Sequence, residues 1–202
     1  MSETNLTERA ELQAERAATD SRRLFGFWTY IMTDCVLFAS LFATYAVLHN
    51  STFGGEPGGK LFDLHGALAE TLILLTSSFT CGLAMVAVRR RNRNQTVLWL
   101  AITFLLGAAF LTMELTEFNH LIAQGDSWRR SGFLSAFFAL VGTHGLHITI
   151  GLAWLIAMIV KVVRIGFSRA TVRRLMMLSY FWHFLDAVWI FIFTVVYLMG
   201  VA

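Results

Sequence analysis

The residues of this 202-residue chain most able to do chemistry are ionisable side chains set inside long apolar runs. An ionisable group in hydrocarbon is costly and is a functional candidate by default. Five stand out: Asp34, His144, His147, His183 and Asp186. Counted at about 1.5 Å per helical residue, Asp34 lies about 15 Å inside its apolar run, near the middle of a bilayer. His144 lies roughly 16 Å in from the opposite side, with His147 one turn beyond it. His183 and Asp186 lie about 7 and 12 Å in from the same side as Asp34. By this count Glu70, Glu114 and Glu117 belong to the other half of the bilayer or its interface.

Spacing sharpens the reading. His144 and His147 are three apart and share a helix face, as do His183 and Asp186. Gly142 and Gly145 flank the first histidine in GTHGLH, where small residues permit close helix approach. Three chemistries are open to such a set. The polar groups could pair with each other across tight helix contacts. Asp34 would then be protonated or partnered, with His147 or His144 as its partner and Tyr30 one turn away. His147 and His183, at similar depth, could ligate a haem. Or the set could relay protons or ions, although no second buried basic residue and no Pro-broken helix supports a carrier. Cys35 and Cys81 lie in apolar runs without CxxC spacing and read as small buried hydrophobes. His49, His65 and His120 fall in or beside loops and read as solvated. The sequence has no phosphate-binding Gly loop, nucleophile elbow or HExxH.

The elements that carry these residues follow from composition. The chain is 56% hydrophobic and 14% charged, where a soluble domain carries roughly 25% charged residues. Five apolar spans run at about 24–48, 64–88, 97–118, 133–160 and 178–200. Each meets the roughly 20 residues needed to cross a bilayer, so the fold class is an all-α bundle of five transmembrane helices. Residues 1–23 form a polar tail, lacking the features of a signal peptide, and 24–202 the transmembrane domain. The single proline, Pro57, falls in a Gly-rich loop.

Thirteen of the sixteen lysines and arginines lie on one side, in the tail and in the loops after spans 2 and 4. Only Lys60, Arg129 and Arg130 lie on the other. This places the N-terminus in the cytoplasm and the C-terminus outside. Trp28, Trp99, Trp154 and Trp182 would form a cytoplasmic aromatic belt, with Trp128 and Tyr197 at the outer ends. The net charge of +3 reflects topology, and there is no basic stripe for nucleic acid.

Residues 130–151, RSGFLSAFFALVGTHGLHITIG, resemble the FFxxTGxHGxHV signature of subunit III of the haem-copper respiratory oxidases, with Val141 where many members have Thr. Residues 180–197, YFWHFLDAVWIFIFTVVY, are similar to the YWHFVDVVWLFLF motif of the last helix in that family. GFWTYIMTDCVLFASLFATY resembles the family's first conserved helix, with Asp34 at its buried acidic position. LAETLILLTSS and TMELTEFNH also fit, so the resemblance covers about residues 25–200. Five helices instead of seven, and Asp34 in place of the usual Glu, look like the bo-type, ubiquinol-oxidising branch.

The resemblance implies a subunit without catalytic, cofactor-binding or metal-binding residues of its own. Haems and copper would reside on subunit I, which this chain would stabilise while enclosing phospholipid and supporting oxygen access and proton uptake. Subunits II and IV would be further partners, and ubiquinol would be met only through the complex. The complex would pump protons and reduce oxygen to water in a bacterial inner membrane. The acid at position 34 would match the site where hydrophobic carbodiimides react in the family. Alternatives are subunit III of a cytochrome c oxidase, or a stand-alone membrane haem protein or ion carrier.

Overall fold

A computed structural model describes residues 3–49, 64–123 and 131–198. These form five helices: α1 (Glu3–Leu48), α2 (Leu64–Arg89), α3 (Arg93–Ala123), α4 (Gly132–Ile165) and α5 (Arg169–Ile192). A π-helical end, Phe193–Leu198, follows α5. Each helix contains a segment long and apolar enough to cross a membrane, and the described residues hold no strand. Pro57, Lys60, Trp128, Arg129 and Arg130 lie outside the described residues.

The chain divides into two compact units, Met1–Ser40 and Leu41–Ala202. The first is the larger part of α1. The helix starts at Glu3, so the polar tail and the span Ser21–Leu48 are one continuous helix of 46 residues. Its hydroxyls bond its own backbone: Thr29 donates to the Phe25 carbonyl at 3.0 Å, and Thr33 to that of Tyr30 at 2.7 Å. Internal partners of this kind let a polar side chain stand in hydrocarbon.

In the second unit α2 packs on α3, α3 on α4, α4 on α5, and α5 back on α2. The four helices thus form a closed ring. The last turns of α1 add Tyr45 beside Phe133 and Phe42 beside Phe191, with ring centroids 5.9 and 6.4 Å apart.

The ring depends on abrupt reversals. The sequence suggests about 17 residues of basic loop between spans 4 and 5. The connection is three residues, because both helices continue well past their apolar cores. Lys161 and Arg164 extend α4, while Arg173 and Arg174 belong to the first turns of α5. Loss of hydrophobicity does not end a helix. Here a glycine does: Gly166 sits at φ 75°, ψ −158°, a region only glycine enters readily. Ser168 then caps α5, accepting from the Thr171 N–H at 3.1 Å.

The α2–α3 reversal is a Schellman turn. The Arg91 N–H donates to the Val88 carbonyl and the Asn92 N–H to that of Ala87. Arg91 takes φ 52° where glycine is usual. Asn92 caps α3 by accepting from the Gln95 N–H at 3.2 Å.

One tryptophan organises the interior. Trp182 is 1% exposed, its indole wedged between α3 and α4. A Cβ built on Gly107 would stand 2.8 Å from its ring, and one on Gly151 2.9 Å. Its Nε1–H donates to Ser77 Oγ at 3.1 Å, and Ser77 in turn donates to the Thr103 carbonyl at 3.2 Å. Trp182 is therefore the central wedge of the ring, not a member of the expected interfacial belt. It lies thirteen residues, about 20 Å, beyond the start of α5. Tyr197, also expected at an interface, is fully buried.

Candidate functional site

The ring distributes the polar residues into separate environments. His144 is completely buried. Its imidazole lies 5.3 Å from the Trp189 ring at 31° and meets Phe110 edge-on at 5.9 Å. Trp189 is held by a hydrogen bond from Nε1 to Thr71 Oγ1 at 3.0 Å, and Thr71 donates to the Ala67 carbonyl at 2.8 Å. His144 is thus fitted into an aromatic box built by α3, α4 and α5.

His147, one turn on, is also buried. Its Nδ1–H donates to the Thr143 carbonyl at 2.7 Å, within its own helix.

His183 is different. The spacing with Asp186 predicts a face turned into the bundle, but His183 is exposed on the α2–α5 seam. Its Nδ1 shares a 2.5 Å hydrogen bond with Ser78 Oγ of α2. Asp186, one turn on, is buried. Ser78 thus ties His183 to α2 across the seam. Helical spacing places His183 and Asp186 on one face, but does not show that α2 supplies the histidine's partner.

Asp34 belongs to the first unit and is buried, with Tyr30 one turn earlier on the same helix. Cys35 is exposed and Cys81 buried, and both are free thiols. Among the described residues no three His, Cys, Asp or Glu side chains are disposed to hold a metal ion.

A further polar group comes together only in the structure. Glu70 of α2 and Glu114 of α3 are 3% and 2% exposed. They lie within electrostatic range of each other and of Glu117. Tyr197 donates to Glu117 Oε2 at 3.1 Å. Gly145 of the GTHGLH run provides room for this group, since a Cβ there would stand 2.6 Å from Glu114 Oε1. Counting depth from the span ends places these acids in the outer half of the bilayer or at its interface, and does not show that Glu70 and Glu114 are buried. The signal that could have found them was the pairing of Glu114 with Gly145, which only packing reveals.

Comparison with known proteins agrees with the motifs. The family model described as cytochrome c oxidase subunit III matches residues 6–201. Cytochrome bo(3) ubiquinol oxidase subunit 3 of Pseudomonas aeruginosa is 56% identical over 177 residues, 88% of this chain and 85% of that protein. Quinol oxidase subunit 3 of Bacillus spizizenii is 45% identical, covering 94% of this chain and 92% of its own length. Cytochrome c oxidase subunit 3 of Bacillus sp. strain PS3 is 42% identical, covering 92% and 91%. Match to the family model over nearly the whole chain, together with these identities, shows that the chain belongs to the cytochrome c oxidase subunit III family of the haem-copper oxidases.

Proposed function

We propose that this chain is the non-redox subunit III of a ubiquinol-oxidising, oxygen-reducing complex of a bacterial inner membrane. The observation that carries this is the identity gradient: 56% to the Pseudomonas aeruginosa bo(3) ubiquinol oxidase subunit against 42% to the strain PS3 cytochrome c oxidase subunit. Chain length does not separate the two branches, because the match covers 91% of the strain PS3 protein. A shorter chain is therefore no mark of quinol oxidation.

In this reading the chain packs against subunit I, which carries the haems and copper. Subunits II and IV complete the assembly, phospholipid fills the clefts, and the chain supports oxygen access and proton uptake. Its N-terminus is cytoplasmic, as the lysine and arginine bias requires.

The test is purification of the intact complex through a tag on this chain. Turnover with ubiquinol should be rapid and with reduced cytochrome c absent, and the haem spectrum should follow the larger subunits when this chain is stripped away. Turnover with cytochrome c alone would move the chain to the other branch. A stoichiometric haem on the isolated chain would overturn the non-redox reading. A reporter enzyme active only outside the cytoplasm, fused at residue 202, should be active if the C-terminus is outside.

A further inference from the structure

We infer that the seam between α2 and α5 is a binding groove for one anionic phospholipid, its phosphate held by Arg89 and Arg91 and an acyl chain laid along the seam. The inference rests on the lipid contacts proposed above and deepens them, by naming one place on the chain and one charge class of lipid.

The groove has two adjoining stretches. One, of about 360 Å³, is lined by Arg89, Arg91, Val88, Met85 and Met176. The other, of about 550 Å³, is lined by Leu75, Phe79, Leu83 and Val86. Gly82 and His183 line both, so the two stretches meet at that level. Gly82 keeps the junction open, since a Cβ there would meet nothing within 4 Å.

Length selects the occupant. Leu75 and Arg89 are fourteen residues apart on α2, about 21 Å along the helix. One leaflet of a bilayer, headgroups included, is about 20–22 Å thick. The groove therefore matches a lipid of a single leaflet, whereas a partner helix that spans the membrane would run through both. Its apolar wall is turned outward, with Phe79 67% exposed.

Charge selects the headgroup. Arg89 and Arg91 are both exposed, at the polar end of the groove. Residues 89–93 and 161–174 together hold nine lysines and arginines and no acidic residue. The planar fork of N–H donors on arginine suits a phosphate. Arg91 takes φ 52°, a conformation that costs a side chain and is usually left to glycine. Strain of this kind points to function where the side chain has a task, and here it lines the groove. Midway along, His183 is bonded to Ser78 through Nδ1, and no second hydrogen bond to it forms among the described residues. Its exposed imidazole gives the apolar groove a polar wall that can meet a lipid ester oxygen.

Photocrosslinking on the intact purified complex tests this. The probes are phosphatidylglycerol and phosphatidylcholine with the same acyl chains, one of them photoreactive, and adducts are mapped by peptide mass spectrometry. Phosphatidylglycerol should label the seam around Phe79, Gly82 and Met176 several-fold more than phosphatidylcholine. An arginine near an anionic surface is worth about 1 kcal/mol, or about fivefold, so Arg89→Gln and Arg91→Gln should each cut the seam adduct by about that factor. Arg90→Gln removes a neighbouring charge that does not line the groove and should change it far less. Gly82→Leu should cut labelling by both lipids, because it fills the junction. The comparison of the two lipids needs no variant, so it stands if any variant fails to assemble. Equal seam labelling by the two lipids, or an equal effect of the three glutamine variants, would overturn the proposal. Labelling elsewhere on the chain but not at the seam would overturn it and leave the broader lipid reading standing. No labelled residue anywhere on the chain would overturn both.

Discussion

Replacing Gly107 with alanine tests the wedge that closes the helical ring. The new Cβ would stand 2.8 Å from both Cη2 and Cζ2 of Trp182 and 3.1 Å from Leu152 Cδ2. Separations under about 3 Å are not tolerated, so something must shift. Trp182 has little room to retreat: its opposite edge already lies 2.9 Å from where a Gly151 Cβ would be, and Nε1 is tied to Ser77. Overpacking of a filled core costs about 1–3 kcal/mol, or roughly a 5- to 150-fold fall in the ratio of intact to disrupted protein. Gly82→Ala is the matched control, because a Cβ there meets nothing within 4 Å. The assay is retention of this chain in the tagged complex during timed incubation in detergent, with haem content followed in parallel. Gly107→Ala should be lost much sooner than Gly82→Ala. Adding Trp182→Phe should recover part of the loss, since the smaller ring frees the space, and the pair should be clearly non-additive. Equal retention of the two alanine variants would refute the wedge argument.

Three other substitutions follow from the same geometry. Gly166→Ala should loosen the α4–α5 turn by about 1–3 kcal/mol through backbone strain alone, because a Cβ there meets no neighbour; faster proteolysis between the two helices would report it, and unchanged proteolysis would contradict it. Arg91→Gly should relieve a left-handed arginine worth about 1–2 kcal/mol and slow unfolding, read as a higher midpoint in thermal aggregation; a lower midpoint would show that the arginine side chain matters more than its φ of 52°. Asp34→Ala should leave haem content and spectrum unchanged, since no metal ligand set forms among the described residues; immediate loss of haem would place this carboxyl close to the redox chemistry.

The amino-acid sequence by itself determined the helical membrane class, the number of spans and the family. Each depends on local properties: apolar length sets a span, and a motif such as GTHGLH or WHFLDAVW is contiguous. It also exposed Asp34, His144, His147, His183 and Asp186, because an ionisable residue in an apolar run is conspicuous without coordinates. Tertiary structure decided which way these residues turn and what they touch. Periodicity shows that His183 and Asp186 share a face, but only the packing of α2 against α5 provides His183 with Ser78 as a partner and leaves the histidine exposed. Depth along a helix put Trp182 and Tyr197 at interfaces; rotation about the axis buries both, one between two glycines and the other beside Glu117. The carboxyl group of Glu70, Glu114 and Glu117 was hidden for the same reason. Its members come from two helices, the Glu114 carboxyl rests on a glycine of a third, and such a convergence exists only once the ring has closed.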